Sequence, residues 1–400
     1  MNVTIAVSKA AGKITVPPSK SYAHRALISA ALSGAECSIE PISDSQDMLA
    51  TIDCIKELGV AIEKDGEKVS IREEKPDTSV VHEFLCRESG STLRFMIPIA
   101  LAFYNKAIFR GTERLIERGI SVYEEIFAKK GISITKSQDS IVFDGALKAG
   151  EYMLRGDVSS QFVTGLLFAL PLLDGDSKIE LIPPVESRLY IDITVDVLEK
   201  FGIKIIKDGN TFTIPGNQKF EKRDYVVEGD WSNGAFLYGL NALGHNVDVC
   251  GLKEESYQSD KAILPMIEAL KRENAQLDIK DCPDLGPVLF AIAAYLNGAR
   301  FTGTRRLRIK ESDRAAAMAM ELKKMGCELV VLDNEVIVPK MSLHAPCDEI
   351  DGHNDHRIVM AMAILLTQFG GKINGAEAVA KSYPDFFERI AELGIEVGKE

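Results

Sequence analysis

The chain reads as an α/β protein built from six repeats of one supersecondary unit and folded into two globular domains. Three observations carry that reading. Helix-ending Gly or Asn residues recur roughly every 70 residues, strongly apolar helices with polar starts recur in phase with them, and strand-like runs follow both.

The helix endings are ELGVAI at Gly59, KKGISI at Gly131, KFGIKI at Gly202, RENAQL at Asn274, KMGCEL at Gly326 and ELGIEV at Gly394. Each closes an amphipathic stretch and opens an alternating one. Gly or Asn therefore fits the left-handed position just past a helix, and the residues after it read as a strand. The apolar helices have polar starts at Ser19, Ser89, Ser159, Ser232, Asp284 and Asp355, as in SGSTLRFMIPIALAF and NDHRIVMAMAILL. Helices apolar on most faces are buried ones. Runs such as CSIEPI, KAIFRGT, KIELIPP, VDVCGL and ARFTGT follow them as strands. The unit is thus strand, buried helix, strand, surface helix, strands, which is too long for a solenoid repeat. Three units bundling their buried helices inside a coat of sheets make one domain. The boundary falls near KFEKRDYVVEGDW, residues 219–231, which is polar before it turns into a new strand. The short first strand, directly before the PPSKS turn, is assigned to the C-terminal half, so that the chain crosses twice. The expected domains are 1–18 plus 228–400, and 19–227.

Charge excludes whole classes of partner. The 400 residues carry 47 Lys+Arg against 59 Asp+Glu, a net charge of −12, which argues against nucleic-acid and membrane-surface binding. Apolar runs are too short to span a bilayer, and MNVTIAVSKAAGKITV resembles neither a secretory signal nor a transit segment. A cytoplasmic protein is expected. The seven cysteines are scattered and never spaced C-x-x-C, which argues against a disulfide framework and a structural zinc site. Reduced, mostly buried thiols are expected.

Against that acidic background, cations and hydroxyls collect at the starts of the buried helices. These mouths carry Lys20, Ser21 and Arg25; Ser89, Gly90 and Arg94; Ser159, Ser160 and Gln161; Asp284; and Asp355, His356 and Arg357. A helix N-terminus offers free N–H groups and partial positive charge, so hydroxyls, glycine and arginine there make an anion site. The surface helices add Arg114 and Arg118 in GTERLIERG, Ser187, Arg188 and Tyr190 in VESRLYIDIT, and Lys310, Glu311 and Arg314 in RIKESDR. Each cluster alone reads as a solvated helix start. Recurrence across the repeats points to a polyanion ligand.

Nine stretches in order, PSKSYAHRAL, ESGSTLRF, GTERLIERGI, GDVSSQF, YIDIT, CPDLGPVL, RIKESDRAAAM, NDHRIVMA and AKSYPDFFERI, resemble the 5-enolpyruvylshikimate-3-phosphate synthase family over essentially the whole chain. The resemblance implies two inverse α/β domains, each of three βαβαββ units, with the active site in the cleft between them. It implies transfer of the enolpyruvyl group of phosphoenolpyruvate to the 5-hydroxyl of shikimate 3-phosphate through a tetrahedral intermediate, with phosphate leaving. By position in these stretches, Lys20, Ser21, Arg25, Ser159, Ser160, Gln161, Ser187, Asp284 and Lys310 fall to shikimate 3-phosphate, with Tyr190 nearby. Lys20, Gly90, Arg114, Gln161, Arg314, Arg357 and Lys381 fall to phosphoenolpyruvate, whose place the family's inhibitor glyphosate shares. A base and an acid are needed, and the matching carboxylates are Asp284 and Glu311, with Lys20 able to take part. Which group moves which proton stays open. No metal or cofactor is expected, because the cations neutralise the developing charge. A monomer acting on two small anions is expected.

Three positions depart from the family pattern: Glu88 stands where many relatives carry Asn, Phe95 where many carry Pro, and Arg306 where Asn is frequent. The first two bear on the shape of the Gly90 pocket, and no substrate contact is carried over to Arg306. An enolpyruvyl transferase acting on UDP-N-acetylglucosamine is the nearest alternative, but that family places a reactive Cys in the loop matching GTERLIERG, and none is present. A non-catalytic anion-binding protein of the same fold is a second. A metal centre at Asp351, His353, Asp355 and His356 is a third, weakened because Asp355 reads as a helix N-cap. His24 reads as a surface neighbour of Arg25. Trp231, Tyr383, Phe386 and Phe387 read as core.

Overall fold

The structure, a computed structural model, describes residues 1–73 and 80–400. One pairing order recurs. His82–Leu85 runs parallel to Lys106–Arg110 across the buried helix Gly90–Phe103. After the outer helix Ser121–Ala128, the hairpin of Ser133–Lys136 and Ser140–Asp144 returns antiparallel onto Lys106–Arg110. A parallel pair needs such a crossover, and a helix apolar on most faces supplies it while filling the core. Glu151–Arg155, Ser177–Ile182, Ile206–Asp208 and Thr211–Ile214 repeat the order around Ser160–Ala169. Ala275–Asp278, Ala299–Thr302, Val330–Val331 and Glu335–Val338 repeat it around Gly286–Tyr295.

The remaining sheets draw on distant segments. Tyr225–Val226 supplies the parallel strand beside Cys37–Glu40, whose sheet continues with Lys68–Glu73 and Val60–Asp65. Asn2–Ile5 lies between Gly371–Asn374 and Val397–Lys399, and Ala11–Thr15 pairs with Asn246–Cys250. The chain accordingly forms two compact units, Met1–Ser19 with Glu228–Glu400, and Lys20–Val227. Each has its own apolar core. In Lys20–Val227 the core is centred on the helices Lys20–Leu32, Gly90–Phe103 and Ser160–Ala169. In the other unit it is centred on Trp231–Ala242, Gly286–Tyr295 and His356–Leu366, and every residue of the last is buried. Trp231, Tyr383, Phe386 and Phe387 are buried there. The helix expected to open at Asp284 instead begins at Gly286, because Pro283–Leu285 forms a separate 3-10 turn. Among the described residues no helix is long and apolar enough to cross a membrane.

Two local features set how the buried helices meet. Pro98 lies inside Gly90–Phe103 and has no N–H, which leaves the Arg94 carbonyl without its usual helical donor. The Tyr123 hydroxyl donates to that carbonyl at 2.7 Å and reaches the Phe162 carbonyl at 3.1 Å. Gly165 permits this approach: a Cβ there would stand 2.3 Å from both the Arg94 carbonyl oxygen and the Tyr123 hydroxyl.

All six sequence-nominated helix endings have positive φ, from 58° at Asn274 to 95° at Gly394. Gly131 isolates the conformational reason, since its φ is +76° and a Cβ would meet nothing within 4 Å. Gly131→Ala should therefore lower stability by about 1 kcal/mol through backbone strain alone, and Gly131→Asn by less. Urea denaturation of the three proteins measures it. An alanine variant as stable as the parent would mean that the turn relaxes out of the left-handed region.

Candidate active site

Residues nominated from the sequence divide between the units. On Lys20–Val227, the Lys20 ammonium pairs with Asp47 at 2.8 Å. Arg25, one turn on, is buried and held at four points. Its Nε donates to Thr194 Oγ1 at 2.8 Å, Nη1 to the Ser21 carbonyl at 2.7 Å, and Nη2 to the Tyr190 carbonyl at 3.1 Å and Thr164 Oγ1 at 3.3 Å. Burial pulls its pKa down to about 10, still charged at neutral pH. Tyr190 and Thr194 belong to the outer helix Arg188–Lys200, which starts after Ser187, a buried residue in the left-handed region at φ 53°. Arg25 thereby ties the first helix mouth to the helix that starts after Ser187.

The second and third mouths meet through side chains. Ser89 caps Gly90–Phe103 by accepting from Thr92 N, and Ser159 caps Ser160–Ala169 by accepting from Gln161 N. Arg94 donates to Gln161 Oε1, and Gln161 Nε2 donates to Ser91 Oγ at 3.0 Å. A Cβ on Gly90 would lie 3.1 Å from Arg118 Nη2 and 3.2 Å from Arg94 Nη1, so the missing side chain is what lets two guanidiniums close on this mouth. Arg118, not assigned to a substrate above, stands beside Gly90. Arg114 lies half-exposed on the short helix Glu113–Glu117, 3.8 Å from Glu117.

In the other unit the nominated residues converge on one carboxylate. Asp284 Oδ1 is 3.0 Å from Lys310 Nζ and 2.8 Å from Arg314 Nη1, and Oδ2 is 3.3 Å from Arg357 Nη2. Burial alone would raise the pKa of Asp284, but Arg357, Lys310 and Arg314 hold it well below the usual carboxylate range. Glu311 shares Arg314, at 2.7 Å from Nη2. Arg314 is only 1% exposed and is anchored from behind by Asp355, at 0% exposure, with Nε 2.8 Å from Oδ2. Asp355 also caps its own helix by accepting from Arg357 N at 2.9 Å. One carboxylate thus holds the Arg314 guanidinium and the backbone of the turn that carries Arg357. Burial drops the Lys310 pKa to about 8, outweighing Asp284, with Arg306 nearby adding to the drop. Lys381 donates to the Asn354 carbonyl at 2.6 Å. Of the residues weighed as a metal set, Asp355 is committed to Arg314, and His353 lies 2.8 Å from Glu321. Among the described residues no three or more His, Cys, Asp or Glu gather as a metal site.

A family model for EPSP synthase (3-phosphoshikimate 1-carboxyvinyltransferase) matches residues 5–390. The chain belongs to the EPSP synthase family. It is 40% identical to the 3-phosphoshikimate 1-carboxyvinyltransferase of Clostridium novyi, with 98% of this chain and 97% of that one covered. To the enzyme of the same name from Clostridium kluyveri it is 41% identical, over 99% and 98%. A solved EPSP synthase from Acinetobacter baumannii superposes with a TM-score of 0.79 at 23% identity, covering all of both chains. The enolpyruvyl transferase NikO from Streptomyces tendae does so at 0.77 and 13%, over 99% and 98%, a likeness of fold.

One expectation on this EPSP synthase family member needs correction. His24 is not a surface residue: at 1% exposure it is packed edge-on to Phe95, because the outer helix Gln46–Glu57 and Gly90–Phe103 close over it. Phe95 is buried, packs against His24 and Phe168, and carries the Arg25 guanidinium over its ring at 5.1 Å. Several residues were not found from sequence. Asp47 lies in the first turn of Gln46–Glu57, and Thr164 and Thr194 lie inside helices, where nothing local marks them. Asp260, accepting from the Ser232 hydroxyl beside Asp284 and Arg357, is pushed up to about 6 by burial and then by Asp284.

The Arg314–Asp355 pair gives a stability prediction. Asp355→Ala removes the carboxylate on Arg314 Nε and the cap of His356–Leu366 while Asp284 and Glu311 stay on the guanidinium, so it should cost about 1–3 kcal/mol in urea denaturation. Asp284 and Asp355 both have pKa values depressed in the folded state, so their contribution is complete above the unfolded carboxylate value of about 3.9 and is lost as pH falls below it. Asp355→Ala should flatten that acid limb. An acid limb identical to that of the parent would remove Asp355 from the account.

Proposed function

We propose that this chain transfers the enolpyruvyl group of phosphoenolpyruvate to the 5-hydroxyl of shikimate 3-phosphate and releases phosphate, a step of the shikimate pathway toward chorismate and the aromatic amino acids. The observation that carries the reading is Asp284, gripped by Lys310, Arg314 and Arg357 and flanked by Glu311 on the same guanidinium, within a chain of the EPSP synthase family. Two carboxylates and three cations match a reaction between two polyanions that needs a base and an acid.

The steps follow from charge. Shikimate 3-phosphate engages Lys20, Ser21, Arg25, Ser159, Ser160, Gln161, Ser187, Asp284 and Lys310. Phosphoenolpyruvate engages Lys20, Gly90, Arg114, Gln161, Arg314, Arg357 and Lys381. Asp284 in the free protein is a weak base because three cations stabilise its charge. Substrate anions compete for those cations, which raises the proton affinity of the carboxylate where the 5-hydroxyl must lose its proton. The 5-oxygen bonds to C2 of phosphoenolpyruvate as the methylene gains a proton, giving the tetrahedral ketal phosphate. Loss of a methyl proton then expels phosphate and restores the double bond. Asp284, Glu311 and Lys20 are the groups offered for these transfers. The cations supply the charge stabilisation that a metal would otherwise provide.

Mixing the chain with both substrates should release phosphate, and replacing shikimate 3-phosphate by UDP-N-acetylglucosamine should release none. Absence of turnover with both substrates present would overturn the reading. Asp284→Ala and Glu311→Ala should each lower kcat by about 10² to 10⁴-fold with much smaller changes in either KM, the signature of groups that act in the transition state. A near-normal kcat in either variant would withdraw that residue from proton transfer.

Lys310 sets a pH limit. Its ammonium is charged below a pKa of about 8 and neutral above it, so affinity for shikimate 3-phosphate should be high below that pH and fall as pH rises through it. Lys310→Arg keeps its charge throughout and should flatten the profile. Titration of binding between about pH 7 and 9 checks this; the same slope in both proteins would clear Lys310 of the role.

A further inference from the structure

We propose that His24 is a positioning residue for the phosphoenolpyruvate side of this reaction, acting through a buried chain of three hydroxyls on the N-cap of the helix that carries Gly90. The inference rests on the enolpyruvyl-transfer reading for its kinetic consequence, but not for the chain itself. His24 Nδ1 lies 2.6 Å from Thr51 Oγ1, Thr51 Oγ1 lies 2.8 Å from Thr92 Oγ1, and Thr92 Oγ1 donates to Ser89 Oγ at 2.7 Å. All four residues are buried. The relay joins three elements: the first buried helix with Lys20 and Arg25, the outer helix Gln46–Glu57, and the helix Gly90–Phe103.

The hydrogens along the chain have one consistent order. Thr92 spends its hydroxyl hydrogen on Ser89, so Thr51 donates to Thr92 and His24 Nδ1–H donates to Thr51. That order requires a proton on Nδ1, and in a neutral ring it leaves Nε2 bare. Nε2 is buried and has no hydrogen-bond partner, so no acceptor there calls for a proton on it. Burial, then Lys20 and Arg25, oppose a second proton on the ring, while Asp47 on the helix of Thr51 is paired with Lys20. At the far end Ser89 Oγ accepts from both Thr92 Oγ1 and Thr92 N. The relay therefore fixes the rotamer of the cap, and with it the first turn at Gly90 and Ser91, whose hydroxyl receives Gln161. Loss of the relay should loosen that turn and spare the contacts of Arg25 with Thr194 and Tyr190.

The experiment measures both KM values, kcat and thermal stability in His24→Asn, His24→Gln, His24→Leu and Thr92→Val, alongside ¹⁵N NMR of the imidazole in the unmodified chain. Loss of one hydrogen bond in a buried chain is expected to raise the phosphoenolpyruvate KM about 5- to 10-fold in the Leu, Gln and Val variants, with the shikimate 3-phosphate KM within about twofold. Asn carries its amide where Nδ1 stood and should restore the KM, whereas Gln extends toward the Nε2 position and should not. The double variant His24→Leu/Thr92→Val should be no worse than either single one, because both cut one chain. In the NMR the ring should stay neutral with its proton on Nδ1 from about pH 5.5 to 8, against an ordinary histidine pKa of about 6.5. An equal rise in both KM values, equal rescue by Gln, additive effects in the double variant, or an imidazole that titrates or carries its proton on Nε2 would each overturn the proposal. If the unmodified chain turned over neither substrate, the reaction reading would fall, while the tautomer measurement would still decide the relay. A His24→Leu chain that does not fold leaves Thr92→Val and the NMR to decide.

Discussion

Burying a helix on every face leaves its first N–H groups only one direction in which to find partners, outward through its N-terminal mouth. The structure repeats that constraint. Among the described residues six largely buried helices concentrate their polar chemistry at their starts, because only there can hydroxyls, carboxylates and guanidiniums satisfy the backbone without entering a core. The repeat that builds the fold and the clustering of functional side chains have the same physical cause.

The two units answer the constraint differently. In Lys20–Val227 the caps of the second and third helices are neutral serines, Ser89 and Ser159, which leave the partial positive charge of the mouth uncancelled. In the other unit the caps of the first and third are Asp230 and Asp355, which cancel it. There the positive charge comes from Lys310, Arg314 and Arg357, all facing Asp284. The neutral mouths suit a fixed anion held by backbone and hydroxyls. In the other unit Asp355 anchors Arg314 from behind, and that guanidinium joins Lys310 and Arg357 on Asp284.

Close approach is the second organising element. Gly165 lets one buried helix touch the backbone of another, Pro98 frees the carbonyl that Tyr123 then occupies, and Gly90 lets Arg94 and Arg118 close on one mouth. Each is a place where an atom is missing so that another can stand there. Such sites tolerate little change because the neighbouring atoms are backbone or charged groups with few alternative positions.

The sequence by itself determined the repeat, the six left-handed helix endings and the family, because hydrophobic period, turn residues and motif order are properties of nearest neighbours along the chain. It also exposed the cations at the mouths, since charge at a helix start stands out against an apolar run. Tertiary structure alone decided which carboxylate each cation meets. Asp355 is legible as a cap 41 residues from Arg314, but nothing local says that the same carboxylate also grips that guanidinium. Asp47 and Asp260 were hidden for the same reason, and His24 was misread as exposed because the helices that cover it come from other parts of the chain. Contacts between side chains distant in sequence depend on how helices pack, and packing is set by the shapes of whole faces rather than by any residue's own type.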